Sequence, residues 1–356
     1  MILHLFNPSH DEALAANSPY YYPANVARRL QSEQGALPAL WAGEGNAVLL
    51  SEESDVPHDA PWCDGVRFVK PRELKPSFWQ EVEHISPWGW DPLVRHQLQR
   101  VGAPERLLPT DGELATIRSL SSRHTTTALL PRLKERLLAR CGLPTVGESV
   151  VVDSEHEAQR LAAQWDGAMA KSLWSCSGRG VFRLNPVPAD NDLRRLARLL
   201  REQGGVELEP VYTPVLNFAL EFQAHADGSV EPLGVSLFGT NASGGYVGNA
   251  VAPQSELKQE VARVMQWSDD VLSQTMEICA AELESFLAQQ YVGPLGVDMM
   301  AAAASTEGAP AVLHPCIELN LRRTMGHVAL TIAQRMLNRE DLPAPLRNLC
   351  YFCKLA

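Results

Sequence analysis

The sequence predicts an α/β protein built of α+β lobes, and three observations lead to this prediction. Short β-type apolar runs alternate with helical stretches along the chain. The 356 residues are enough for a sizeable core and for two or three lobes. Hydrophobic residues make up 45% of the chain and charged residues 21%, the usual balance of a globular protein. We therefore expect several lobes of mixed helix and strand.

The first lobe is predicted to span residues 1–115. Its β-type runs lie at residues 1–7, 47–51 and 66–70. A helix-like stretch lies between the first two runs, at Asn25–Gln34. This alternation predicts a small unit with a mainly parallel sheet. Residues 71–109 are rich in proline and tryptophan, and we expect them to be irregular.

A second lobe is predicted at residues 116–205 and a third at 206–356. The second opens with a helix at His124–Cys141, where leucines at 129, 130, 133, 137 and 138 follow a helical period. The remaining elements of this lobe are predicted to follow the order strand, helix, strand, strand, helix. The predicted elements of the third lobe are strands at 206–211, 215–224, 230–238, 293–300 and 311–321, a long helical region at 256–290 and a final helix at 327–337.

Charge and composition exclude several classes of protein. The formal net charge of -11 argues against a nucleic-acid binder or a protein of anionic membranes. The N-terminal residues resemble a first strand and not a signal peptide, and no run approaches the roughly 20 apolar residues of a membrane helix. Seven scattered cysteines fit free thiols in a reducing compartment. We expect a cytoplasmic protein, with a homodimer as the default oligomer.

The most informative stretch lies near the C-terminus and contains Glu318, Asn320 and Arg322. On a strand, side chains alternate between the two faces, so these residues share one face while the intervening apolar residues share the other. Oxygen donors suit a hard cation such as Mg2+, and a guanidinium suits a phosphate. The pattern indicates a strand that holds a metal–nucleotide.

A further carboxylate, Asp298, lies in an otherwise apolar strand. Burying a carboxylate without a partner is costly, so a cation or a strong donor is expected beside it. Glu307 and Gly308 predict a turn between this strand and the strand of Glu318. Antiparallel pairing around that turn would place the two carboxylates side by side, and they would repel unless a divalent ion lay between them.

Two upstream stretches are less specific. Lys171 is followed by the small and flexible stretch Ser175–Gly180, whose backbone N–H groups are able to approach phosphates. Such a loop alone is typical of a plain hairpin turn, but a lysine just before it favours phosphate binding. In residues 206–212, Glu209 is either a surface glutamate on a strand or part of a hinge that binds a nucleotide base.

Taken in order, these motifs resemble the ATP-grasp superfamily of carboxylate–amine ligases over roughly residues 115–340. The resemblance is carried by AKSLWSCSGRGV, VELEPV, GVDMM and IELNLRR. It implies an ATP-grasp fold with an N-terminal Rossmann-like pre-ATP-grasp domain, and ATP and Mg2+ as cofactors. The implied nucleotide-binding residues are Lys171, Ser177, Gly178, Arg179, Gly180, Glu209 and Asn217. The implied metal ligands are Asp298, Glu318 and Asn320, with Arg322 and Lys171 acting on the transferred phosphate.

The resemblance leaves some assignments open. The family often has another phosphate-binding lysine before the small lobe, where this chain offers Arg123 or His124. The acid that binds ribose after the hinge has two candidates, Asn217 and Glu221. His10 and Asp11, after the first strand, either contact a substrate or form a strand-end turn with a helix cap. Residues 241–249 are expected to be a flexible loop that either closes over the acceptor or only connects two elements.

The implied activity is an ATP-dependent ligase. It would join a small-molecule or peptide carboxylate to an amine or other nucleophile through an acyl phosphate, releasing ADP and phosphate. A small-molecule kinase on the same scaffold is the first alternative. A nucleotide-binding regulatory protein without turnover is the second.

Overall fold

The computed structural model describes residues 1–57, 61–175, 180–241, 244–306 and 308–336. The chain forms two compact units, Met1–Arg118 and Ser119–Gln334, with Arg335 belonging to the first. No helix in these described ranges is long and apolar enough to cross a membrane.

The first unit contains a four-stranded parallel sheet. Its strands are β1 (Ile2–Leu5), β2 (Ala47–Leu49), β3 (Arg67–Val69) and β4 (His84–Pro87), in the order β3-β2-β1-β4. Its helices are α1 (His10–Ala16), α2 (Asn25–Gln34), α3 (Ala39–Ala42), α4 (Pro76–Glu81), α5 (Pro92–Arg100) and α6 (Asp111–Leu120), the last of which crosses the unit boundary. The predicted parallel sheet is present.

The expectation that residues 71–109 are irregular is wrong. This segment supplies β4, which pairs with β1, and the helices α4 and α5. Both helices carry proline at their first turn, at Pro76 and Pro92. Proline is favoured there because the first helical N–H groups have no intrahelical partner. Pro76 and Pro92 therefore mark the starts of these two helices.

Polar side chains join the carboxyl ends of β1 and β4. The Asn7 amide donates hydrogen bonds to the carbonyl of Gly89 at 2.8 Å and to Asp91 at 2.9 Å. Asp91 also accepts from the Val94 N–H and caps α5. His10 starts α1 and is buried, with Nδ1 3.4 Å from Asp91 Oδ2. These contacts are those of a strand-end turn joined to helix starts.

The second unit contains two sheets. The smaller one has four antiparallel strands, β5 (Val150–Val152), β6 (Ala168–Ser172), β7 (Val181–Leu184) and β8 (Val206–Pro210), in the order β5-β8-β6-β7. The larger one has five antiparallel strands, β9 (Pro214–Ala224), β10 (Val230–Thr240), β11 (Tyr246–Asn249), β12 (Gly293–Ala302) and β13 (Val312–Asn320), in the order β11-β10-β9-β12-β13. The remaining helices are α7 (Arg123–Cys141), α8 (Glu155–Gln164), α9 (Asp190–Gln203), α10 (Gln254–Met265), α11 (Asp269–Leu287) and α12 (Met325–Met336).

Helix α7 forms for the reasons that its sequence suggests. Its apolar stripe is buried at positions 129, 130, 133 and 137, whereas Leu138 is exposed. Ser122 caps its start, and Gly142 ends it in the left-handed conformation at φ 63°. The first turn of α7 therefore has a fixed place, and Arg123 lies in it.

Two further predictions for this unit need correction. The long helical region at 256–290 is two helices, because Gln266 adopts the left-handed conformation and ends α10 before α11 begins. The expected loop at 241–249 contains strand β11, which pairs with the end of β10. Tyr246 and Val247 have high β-propensity, and this local preference prevails over the neighbouring glycines. Residues 242 and 243 lie outside the described part of the chain.

Candidate nucleotide and metal site

The two carboxylates expected to meet lie on adjacent strands. β12 and β13 pair antiparallel, with Asp298 directly opposite Glu318 and Gly296 opposite Asn320. Opposed residues in such a pair have Cβ atoms about 4.5–5.5 Å apart. Glu318 and Asn320, two residues apart on one strand, share a face. The register brings three oxygen-bearing side chains to one place on the sheet.

The environment of Asp298 is acidic. The pKa of its carboxyl is raised to about 8, first by burial and then by the carboxylates of Glu318 and Glu221. The charge of Arg322 and a hydrogen bond with Asn320 act in the opposite direction. Because the side chain is only partly buried, solvent screens part of this repulsion. A cation near these carboxylates would relieve the excess of negative charge.

Arg123 connects the two sheets of the second unit. Its Nη2 lies 2.9 Å from Glu318 Oε2 on β13, and its Nη1 lies 3.2 Å from Glu207 Oε2 on β8. Its Nε donates to the carbonyl of Ser172 at 3.0 Å. Burial alone would lower the pKa of Arg123, but Glu318 and Glu207 raise it above its ordinary value. Arg123 therefore stays charged.

Lys171 lies on the same face of the smaller sheet as Glu207. It lies opposite Glu207 in the β6–β8 register, and its Nζ is 2.6 Å from Glu209 Oε1 and 3.9 Å from Glu207 Oε2. The closer contact is a buried ion pair, and the other carboxylate oxygen, Glu209 Oε2, has no hydrogen-bond partner among the described residues. Burial raises the pKa of Glu209, although the charge of Lys171 acts to lower it. Buried polar atoms without partners are typical of a site that takes up a ligand or water.

His314 forms the far end of this cluster. Its Nε2 lies 4.0 Å from Glu209 Oε2, and its ring packs edge-on against Tyr212 at 5.2 Å between centroids. Neither ring nitrogen has a hydrogen-bond partner in the described part of the chain. Burial, followed by the charge of Lys171, lowers the pKa of His314 to about 3. The imidazole is therefore neutral near pH 7.

We expect His314 to make stability depend on pH. The folded pKa of about 3 lies below the unfolded value of roughly 6.5, so the unfolded chain binds the extra proton. The contribution is present above pH 6.5 and is lost as the pH falls towards 3, by at most about 1.4 kcal/mol per pH unit. Urea unfolding between pH 7 and 4.5 should show a flatter dependence for His314→Leu than for the wild type. Equal slopes would contradict the assignment.

Only part of the predicted glycine loop is described. Ser177, Gly178 and Arg179 lie outside the described residues. Gly180 has φ +74°, and a Cβ there would overlap the Ser172 hydroxyl, while its carbonyl accepts from the Ser172 N–H at 3.1 Å. Glycine is therefore required at the point where the loop returns to the strand of Lys171.

The two candidates for the ribose contact differ in accessibility. Asn217 lies on β9 opposite Met300, partly exposed, and donates to the Thr240 hydroxyl at 3.3 Å. Glu221 is fully buried and receives hydrogen bonds from Ser236 and Thr324, so it is not accessible to a ligand. Of these two side chains, only that of Asn217 is accessible.

Glu207 and His314 were not predicted as members of the site, and Arg123 was predicted only as a candidate for a phosphate contact. Glu207 was identifiable, because it shares a strand face with Glu209 by the two-residue period. Arg123 was a candidate for a phosphate contact, but its ion pairs to Glu318 and Glu207 depend on contacts between distant segments. Nothing near His314 in the sequence distinguishes it from an ordinary core histidine.

Solved structures resemble this fold. Biotin carboxylase from Campylobacter jejuni, crystallised as a β,γ-ATP complex, has a TM-score of 0.52 at 14% identity, covering 97% of this chain and 72% of that one. This biotin carboxylase and the other solved structures that resemble the chain are ATP-grasp enzymes. The chain has the ATP-grasp fold.

Two further ATP-grasp structures are similar at lower TM-scores. The biotin carboxylase domain of Hydrogenobacter thermophilus 2-oxoglutarate carboxylase, in complex with MgADP, has a TM-score of 0.49 at 14% identity, covering 96% of this chain and 70% of that one. N5-carboxyaminoimidazole synthetase from Staphylococcus aureus, in complex with ADP, has a TM-score of 0.47 at 12% identity, covering 96% and 78%. No protein-family model matches the sequence, and no curated protein is significantly similar to it.

Proposed function

We propose that this ATP-grasp protein is an ATP-dependent ligase that joins a carboxylate to an amine through an acyl phosphate, releasing ADP and phosphate. The observation that carries the proposal is the register of Asp298 against Glu318, with Asn320 on the same face. Lys171 and Glu209 support it from the smaller sheet, where they form a buried ion pair and Glu209 Oε2 has no hydrogen-bond partner among the described residues.

The donor set fits a hard divalent cation. Two carboxylates and an amide oxygen are ligands that Mg2+ accepts, and burial together with the nearby carboxylates raises the pKa of Asp298. Asp298, Glu318 and Asn320 would hold the ion, which when bound neutralises charge on the β- and γ-phosphates. Oxygen Oε2 of Glu318 is paired with Arg123 in this structure, so that carboxylate would be shared.

The other side chains have roles that follow from their charge. Lys171 would bind phosphate oxygens, and Arg322 would place fixed positive charge beside the transferred phosphoryl group, where one well-placed donor is worth about 3 kcal/mol. Glu209 and the backbone after it would contact the base, and Asn217 the ribose. Ser177, Gly178, Arg179 and Gly180 would cover the phosphates and exclude water, which hydrolyses an acyl phosphate.

Isotope transfer tests this mechanism. ATP, Mg2+ and the protein are incubated with panels of carboxylates and amines, and ADP release identifies the productive pair. With that carboxylate labelled by 18O, the ligase is expected to deliver one labelled oxygen to the released phosphate, because the carboxylate oxygen attacks the γ-phosphorus. A stable phosphorylated product without free phosphate would support the kinase instead. ATP binding without turnover for any pair would support a regulatory protein.

A further inference from the structure

A buried polar network lies beside the proposed metal site and takes no ligand itself. Glu221 is fully buried on β9. Its Oε1 accepts from the Ser236 hydroxyl at 2.8 Å, and its Oε2 accepts from the Thr324 hydroxyl at 2.8 Å. His327 Nδ1 lies 3.0 Å from the same Oε2. Every one of these partners is buried as well.

The register explains where the Glu221 carboxylate lies. Glu221 on β9, Gly296 on β12 and Asn320 on β13 occupy one level across three neighbouring strands. A Cβ on Gly296 would come within 2.6 Å of Glu221 Oε2 and 3.0 Å of the Thr324 methyl group. The carboxylate thus fills the space that a side chain at position 296 would need. This gives a physical reason for glycine two residues before Asp298.

The same carboxylate fixes the start of α12. Thr324 caps this helix, because its hydroxyl accepts from the His327 N–H at 3.2 Å. Both capping residues contact Glu221. A Cβ on Gly326 would overlap Glu221 Oε1, so the turn packs against the carboxylate without a gap. Only residues 321–323 separate this anchored cap from Asn320.

Glu221 is also charged. Burial alone would raise its pKa, but His327 and the hydrogen bonds from Ser236 and Thr324 hold the pKa below its ordinary value.

We propose that Glu221 is a positioning residue, which anchors the 321–324 turn and thereby sets Asn320 and Arg322 for the metal–nucleotide. The inference rests on the proposed function for its ligand, but the anchoring is a property of the ligand-free chain. Some residues do not bind the metal but hold its ligands in place by hydrogen bonds. Loss of such a residue typically weakens metal affinity.

Glu221→Gln tests the proposal, because it keeps the shape of the side chain and removes the charge and one acceptor. Hydrogen exchange of residues 321–328 in the ligand-free protein is expected to accelerate. Binding of Mn2+ with ATP, followed by the Mn2+ EPR signal, is expected to weaken about 10- to 100-fold. Glu231→Gln is the matched control, since Glu231 is exposed on the adjacent strand β10.

The outcomes are distinguishable. Wild-type exchange and wild-type Mn2+–ATP affinity in Glu221→Gln would overturn the positioning role while leaving the proposed function in place. If the wild type itself binds no Mn2+–ATP, the proposed function and the metal part of this inference both fail, and the exchange measurement decides the anchoring alone. Should Glu221→Gln not fold, Ser236→Ala removes one donor to Glu221 and must shift both readouts in the same direction by less.

Discussion

Replacing Glu318 by glutamine is expected to abolish ATP-dependent ADP release while leaving the fold intact. Glutamine keeps an oxygen that can accept from Arg123, which now lies 2.9 Å from Glu318, so the packing survives. The charge opposite Asp298 is lost, and with it the affinity of this place for a divalent cation. We expect turnover to fall about 100-fold or more, since both metal binding and charge stabilisation of the transferred phosphate suffer.

The measurement is steady-state ADP release with the productive substrate pair, together with Mn2+ titration. Circular dichroism and thermal unfolding check that the variant is folded. The control is Glu231→Gln, the same chemical change at an exposed position of the larger sheet, which should retain wild-type turnover. Unchanged turnover and Mn2+ affinity in Glu318→Gln would remove Glu318 from the metal site.

Replacing Arg123 by methionine is expected to cause the largest loss of stability. Arg123 is 4% exposed and its guanidinium faces Glu207, which is 0% exposed. Removing one partner of a buried pair leaves an uncompensated charge, which costs about 3–5 kcal/mol. Lys171, with Nζ 3.9 Å from Glu207, offsets only part of this cost.

Urea unfolding of the wild type and of Arg123→Met measures the effect. The matched control is Arg263→Met, because Arg263 pairs with Glu260 at the exposed surface, where an ion pair contributes about 0–1 kcal/mol. Arg123→Lys should fall between the two, since an ammonium does not reproduce the planar fork that contacts both glutamates and the Ser172 carbonyl. Equal losses in the free energy of unfolding for Arg123→Met and Arg263→Met would show that the buried ion pairs of Arg123 stabilise the unit no more than a surface ion pair does.

Local patterns in the sequence were sufficient to predict four strands of the larger sheet, β9, β10, β12 and β13, and the opposition of Asp298 and Glu318. The two-residue alternation around Glu318 and the short connection between its strand and that of Asp298 are both local features. The same reasoning failed at residues 71–109, which were expected to be irregular because they are rich in proline and tryptophan, although Pro76 and Pro92 start helices α4 and α5. A proline marks the boundary of a helix, but the proline alone does not show whether the helix lies before it or after it.

Contacts between distant segments were beyond prediction. Arg123 meets Glu207 and Glu318 across 84 and 195 positions of the chain, and no period or spacing encodes such a meeting. Glu221 illustrates a different difficulty. Its strand pattern allowed a ligand-binding role, and only the positions of Thr324, His327 and Ser236 show that its oxygens are already occupied.

The contacts of Arg123 also constrain how the second unit can move. Its guanidinium contacts Glu207 and the Ser172 carbonyl on one sheet and Glu318 on the other. Any rotation that separates the sheets must break one set of these contacts. A separation that breaks the Arg123–Glu318 pair frees the Glu318 carboxylate, so the spacing of the sheets and the availability of this oxygen ligand are thermodynamically linked.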